Sequence, residues 1–181
     1  MKFLNLFISL LKILRVLLFA GCIILSIAFI MELFLDDANI NWNSSSIFKA
    51  MTPVFSKTFW IWSTFFGGMF VLVCLIHSST FLIRVMLRFK ENLFFEINNS
   101  ADLKKASLYF LSGTLIIPVL FEIIHFIEYM IESILPNKLQ TYTFDGIIEY
   151  VGFGIIGLFI YVMGEVIEKA ISIRNENDLT I

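Results

Sequence analysis

Charge is what this chain has least of. Only 15% of its residues are Asp, Glu, Lys or Arg, where soluble domains carry about 25%. The few charges nearly cancel, leaving a net −2, so nothing supports direct nucleic-acid binding by the whole chain. Cysteine is almost missing as well. Cys22 and Cys74 each lie deep in an apolar run, which suits buried reduced thiols and excludes a zinc-type cysteine cluster. Histidine occurs twice, as His77 and His125. No nucleophile elbow, phosphate loop or metalloprotease pair occurs, so neither an enzyme nor a bound cofactor is expected.

What the chain has instead is apolar surface. Its hydrophobic content is 59%, with 21 phenylalanines. A core of this size cannot hide that surplus, so the expected solvent is lipid. Four runs approach the about 20 apolar residues that a membrane span needs: 16–35, 58–83, 106–131 and 147–167. The first is broken only by Glu32, and it is too long for the apolar region of a cleaved signal peptide. The expected fold is all-α: a polytopic membrane protein of one domain, with four transmembrane helices in an antiparallel bundle. Lys and Arg set the orientation. The N-terminal segment, the connection at 84–105 and the C-terminal tail hold ten of them, and the other two loops hold three. By the positive-inside rule both termini are cytoplasmic.

The remaining segments have expected roles too. In residues 2–15, Lys2, Asn5, Ser9 and Lys12 recur at helical spacing. They predict an amphipathic helix on the inner leaflet, or else a simple extension of the first span. Trp42, Trp60 and Trp62 fall where the outer interface should be. The connection at 84–105 should be a structured cytoplasmic loop. In it Asn99 or Ser100 would cap a helix, Asp102 would face its positive end, and Phe94 and Phe95 would staple its start.

One polar cluster interrupts the third span. "FEIIHFIEYM" places Glu122, His125 and Glu128 within about 120° of helix surface. Glu122 and His125 form the E-x-x-H pair of di-iron bundles, but such sites need two pairs and further carboxylates. His77 belongs near the opposite membrane face, so a metal site would need a second copy of the chain. Charge facing lipid is costly. The cluster should therefore face the bundle interior or an outward-facing polar cavity that Glu32, at similar depth, could share, either as a structural hydrogen-bond network or as a site for a small ligand, ion or proton. Pro118, just before it, should kink the helix. Gly67 and Gly68 in the second span, and Gly152, Gly154, Gly157 and Gly164 in the fourth, permit close helix approach.

Two motifs carry a resemblance. Phe95, Asn99 and Leu103 match a Phe-x3-Asn-x3-Leu segment before the third span. Glu165 and Val166, followed by Glu176, Asp178, Leu179, Thr180 and Ile181, match a conserved-looking tail. In both, and in topology, the chain resembles a bacterial membrane family called domain of unknown function 2975. It departs in having Ala170 in place of a glycine, which should let the fourth helix continue, and Leu93 in place of a small residue or proline. The resemblance implies a multi-pass protein of the bacterial plasma membrane with no known activity. It also implies a small soluble helix-turn-helix regulator as partner; the lipid bilayer itself and a homo-oligomer are the other expected partners. The candidate cytoplasmic contact is therefore Phe95, Asn99, Leu103, Glu165, Asp178, Leu179, Thr180 and Ile181, the last three alternating as an added strand would. Two functions follow as expectations. One is a regulatory or interaction protein that uses the loop and tail. The other is a transport or stress-resistance protein that uses the outer cavity.

The orientation is testable by single-cysteine labelling in a background without Cys22 and Cys74. Cysteines at 43 and 138 should react with an impermeant reagent from outside, and those at 90 and 175 should not. The reverse pattern would overturn the charge-based orientation.

Overall fold

The computed structural model describes residues 2–35, 57–133 and 147–178. Every element among them is helical. Helix α1 spans Lys2–Leu35 and α2 spans Lys57–Lys90; α3, Ile97–Leu111, continues through a π-helical turn at Ser112–Ile116 into α4, Ile117–Ser133; α5 spans Ile147–Asp178. Four of the resulting rods are long and apolar enough to cross a membrane: Lys2–Met31, Ile61–Lys90, Ile97–Ile124 and Val151–Asn177. At 1.5 Å per residue, a 34-residue helix such as α1 or α2 is about 50 Å long, while a bilayer's hydrocarbon layer is about 30 Å thick. These helices therefore overshoot an apolar slab by several turns.

The amphipathic surface helix expected for residues 2–15 gives way to its alternative. The chain does not turn near residue 15, and α1 is one unbroken helix. The reason is local: residues 2–20 contain neither proline nor glycine, so nothing interrupts the backbone ladder. Ile8 and Leu11 are buried, so the first turns belong to the packed structure.

Successive rods run antiparallel, and their registers can be read from close approaches. Between α1 and α2, Gly21 faces Leu72 and Gly68 faces Leu25, while Phe29 stacks on Phe65 at 4.0 Å and meets the edge of Trp62 at 4.8 Å. Carried along the helices, this register sets Ile8 opposite the fully buried Val85. The covered stripe of α1 recurs every three or four residues, through Leu4, Ile8, Leu11, Arg15, Leu18, Cys22, Leu25 and Phe29. That is the narrow seam of left-handed helix pairs. Between α2 and the third rod, Gly113 lies against Cys74 and Val71, and Gly67 against Phe121.

The third rod packs on α5 through small residues. Gly154 faces Leu115, Gly157 faces Leu111, and Gly164 faces Ser100, Leu103 and Lys104. Ser107, fully buried, donates a 2.7 Å hydrogen bond to the carbonyl of Gly157. A side chain at Gly157 would strike Leu111, whereas Gly152 has open space around it. Among the described residues the rods pack in chain order, α1 on α2, α2 on α3 and α3 on α5, as a row rather than a closed square.

Two local features differ from a uniform bundle. The π-helical turn ends two residues before Pro118. The proline ring clashes with the carbonyl four residues back and removes a hydrogen bond, and a widened turn relieves that clash. Ser112 and Thr114 donate to the carbonyls of Leu108 and Phe110 there, each at 2.7 Å, a back-bonding that also bends helices. The second feature is where the core lies. Val85, Leu103 and Ile167, from α2, α3 and α5, form a buried cluster flanked by Leu82, Met86, Phe89, Ile160 and Ile171. This cluster sits at the end where α1 begins, α5 ends and the α2–α3 turn lies.

Candidate functional site

The connection expected at 84–105 is mostly helix. Only residues 91–96 lie outside α2 and α3. Asn92 takes a left-handed conformation, φ 62°, and its N–H reaches the carbonyl of Phe89 at 3.1 Å while that of Leu93 reaches Arg88 at 3.0 Å. This pair of bonds around a left-handed residue is a Schellman helix end, in a position where asparagine is the usual substitute for glycine. It stops α2 and reverses the chain within six residues.

Side chains lock the reversal. Arg88 Nη1 donates to Asp102 Oδ2 at 2.8 Å and to Asn99 Oδ1 at 3.2 Å, with Glu96 3.9 Å from its Nε. The amide of Asn99 turns back and donates to the carbonyls of Leu93 and Phe94 at 2.6 and 3.1 Å. Asn99 is 0% exposed and Asp102 is buried. One buried asparagine therefore ties a guanidinium to two turn carbonyls that have no helical partner. Such a closed network is worth more than its separate bonds and is costly to leave half-made.

This corrects three expectations. Asn99 and Ser100 are not helix caps: Glu96 occupies that position without a side-chain bond, and the N–H of Asn99 is already bonded to the carbonyl of Glu96. Asp102 does not serve the helix end, because Arg88 holds it. Neither Asn99 nor Leu103 is a surface contact, since one is enclosed in the network and the other in the core.

A second polar node joins α3 to α5. Lys104 bridges Glu165 and Glu168, and Ser100 donates to Glu168 at 3.1 Å. Glu165, singled out from the sequence, is therefore a partner of Lys104. Ser100, expected as a cap, is instead a partner of Glu168, and Glu168, Arg88 and Ser107 carry no mark of their roles in the sequence. Arg88 reads in the sequence as one more positive-inside charge, and only its place eleven and fourteen residues before an amide and a carboxylate hints at a pairing. Helix α5 runs on through Ala170 to Asp178. The side chain of Asp178, and all of Leu179, Thr180 and Ile181, lie outside the described residues, as do the side chains of Glu32, His125 and Glu128. Glu122 is half-buried on α4. Of the four residues expected to line a polar cavity, only Glu122 therefore has a described side chain.

What the turn shows to its surroundings is apolar. Phe94 packs on Phe89 at 5.2 Å, while Leu93, Phe95 and Ile97 are 40%, 57% and 56% exposed. The turn thus presents four large apolar side chains, Phe94 among them at 44% exposed, beside a charged frame.

Residues 48–181, which include this turn and both polar nodes, match the family model described as protein of unknown function (DUF2975). The chain belongs to that family. No curated protein and no solved structure matches it. The DUF2975 match covers α2 to α5 and leaves α1 outside.

A double-mutant cycle tests the Arg88 network. Arg88→Met should cost about 2–3 kcal/mol in detergent-solubilised DUF2975 protein, because it strands the buried Asp102. Adding Asp102→Leu should recover at least about 1 kcal/mol, read by chemical unfolding. Strict additivity would mean that the two side chains do not act together.

Proposed function

We propose that this protein is a multi-pass membrane protein whose turn end faces the cytoplasm and receives a small soluble partner, a regulator of helix-turn-helix type. The observation that carries the reading is the exposure of Leu93, Phe95 and Ile97 on a turn that Arg88 and Asn99 hold rigid. Apolar groups on a preformed frame bind with little ordering cost.

Depth supports a cytoplasmic role. If Trp62 marks the outer interface, a hydrocarbon layer of about 30 Å takes about 20 residues of helix and ends near Leu82. The turn then stands about 10 Å beyond the apolar layer, within reach of a soluble protein. Ten of the thirteen Lys and Arg residues lie at or near this end, which supports the cytoplasmic assignment. The Lys104 node fixes α5 against the same frame. The helix-turn-helix class of the partner comes from the family resemblance.

Site-specific photocrosslinking tests the proposal in living cells. A crosslinking residue in place of Phe95 or Ile97 should capture a small helix-turn-helix protein. One in place of Ile13, exposed on α1, should not. Capture should fall at least several-fold when Leu93 is replaced by Asp. If positions 95 and 97 yield only lipid or self-adducts, the partner reading is wrong.

A further inference from the structure

Arg84 and Arg88 near the end of α2, and Lys104 and Lys105 in α3, divide into two kinds. Arg88 and Lys104 hold carboxylates. Arg84 and Lys105 have no carboxylate partner among the described residues. These two instead converge on a single ring: the guanidinium carbon of Arg84 is 5.3 Å and the ammonium of Lys105 is 5.9 Å from the centroid of Phe81. Two like charges drawn to one small aromatic ring are a place where an anion is wanted, since the ring offsets little of their mutual repulsion.

The surroundings say what kind of anion. His77, Phe81 and Arg84 follow one another at i, i+4 and i+7 on α2, and Lys105 and Tyr109 at i and i+4 on α3, so all five edge one groove. Within it Tyr109 stacks on Phe81 at 5.8 Å and on His77 at 5.2 Å. The groove therefore has cations at its mouth, and below them a stack of rings leading toward the middle of the helices. By the depth count above, Arg84 lies at the inner headgroup layer and His77 within the hydrocarbon. A soluble phosphate would need only the mouth. An amphiphile would use the whole groove.

We propose that Arg84 and Lys105 bind the phosphate of an acidic phospholipid headgroup, with the acyl chains lying along the α2–α3 groove over Phe81, Tyr109 and His77. Guanidinium supplies a planar fork for two phosphate oxygens and ammonium a point charge. Basic pockets between spans at the inner membrane face are of the kind that hold such headgroups. This inference rests on the membrane placement proposed above and not on the soluble partner.

The test uses the full chain purified in mild detergent, with bound lipid followed by native mass spectrometry and by thermal shift. Phosphatidylglycerol should bind and raise the melting temperature, whereas phosphatidylcholine and inorganic phosphate at the same concentration should do neither. The double variant Arg84→Gln and Lys105→Gln should lose about tenfold in phosphatidylglycerol affinity. The variant Lys12→Gln and Lys169→Gln, which removes as much charge from the same end, should keep it. Equal losses in both variants would reduce the effect to diffuse charge and overturn the site. Equal protection by inorganic phosphate would overturn the lipid, and equal binding of phosphatidylcholine would overturn the headgroup selection. Should the Arg84/Lys105 variant fail to fold, the comparison of the two lipids on the wild-type chain decides. Failure of the membrane reading itself would show separately, as protein released from membranes by carbonate without detergent.

Discussion

Arg88 reaches from the last turns of α2 to Asn99 and Asp102 in the opening turns of α3, and the amide of Asn99 reaches back to the carbonyls of Leu93 and Phe94. Every other feature of this end follows from that closure. The turn can be six residues long because its loose carbonyls are satisfied from inside. α2 and α3 can meet without a gap because the charges of Arg88 and Asp102 at their seam neutralise one another. Val85 and Leu103 can then form a core with Ile167. The same network is a liability if incomplete, since an orphaned carboxylate in this setting costs far more than the pair gains.

Away from that end the helices are held by different physics. A lipid tail is as apolar as a leucine, so burying leucine between spans gains little, and close packing and hydrogen bonds between helices decide. The contact of the third rod with α5 shows both. Gly154, Gly157 and Gly164 remove the side chains that would hold the helices apart, and the Ser107 hydroxyl donates across the gap to the Gly157 carbonyl. The seam of α1 on α2 has only one such approach on each side, at Gly21 and Gly68. Its end away from the α2–α3 turn relies on the rings of Phe29, Trp62, Phe65 and Phe66. α1 is thus joined to the row along one face and otherwise exposes apolar side chains.

The parts of this architecture visible in the sequence are those that lipid dictates. Four apolar runs of span length give four rods, and the last helix runs on through Ala170, where the sequence has no helix-breaking residue. The seams are not visible in the same way. A helix with lipid on one side and protein on the other is apolar all round, so no periodicity marks Ile8 or Leu11 as covered and Leu10 or Leu14 as exposed. Asn99 misled for a different reason. An asparagine near a helix start usually serves its own helix, and only the fold reveals that its amide serves the preceding turn. Arg88 carried no local mark because its partners come from the next helix. Glycine marks close approach at Gly67, Gly68, Gly154, Gly157 and Gly164, and Gly152, with open space around it, shows that even this sign needs a neighbour.

The central claim is that the α2–α3 turn is a rigid, preformed surface and not a loop that orders on binding. Amide hydrogen exchange on the full chain in lipid nanodiscs, with no partner present, measures this directly. The account predicts slow exchange at Asn92, Leu93 and Asn99, whose N–H groups are bonded to Phe89, Arg88 and Glu96. Their protection should approach that of the adjoining turns of α2 and should collapse together when Asn99 is replaced by Ala. Exchange at these three amides as fast as in an unstructured peptide would contradict it.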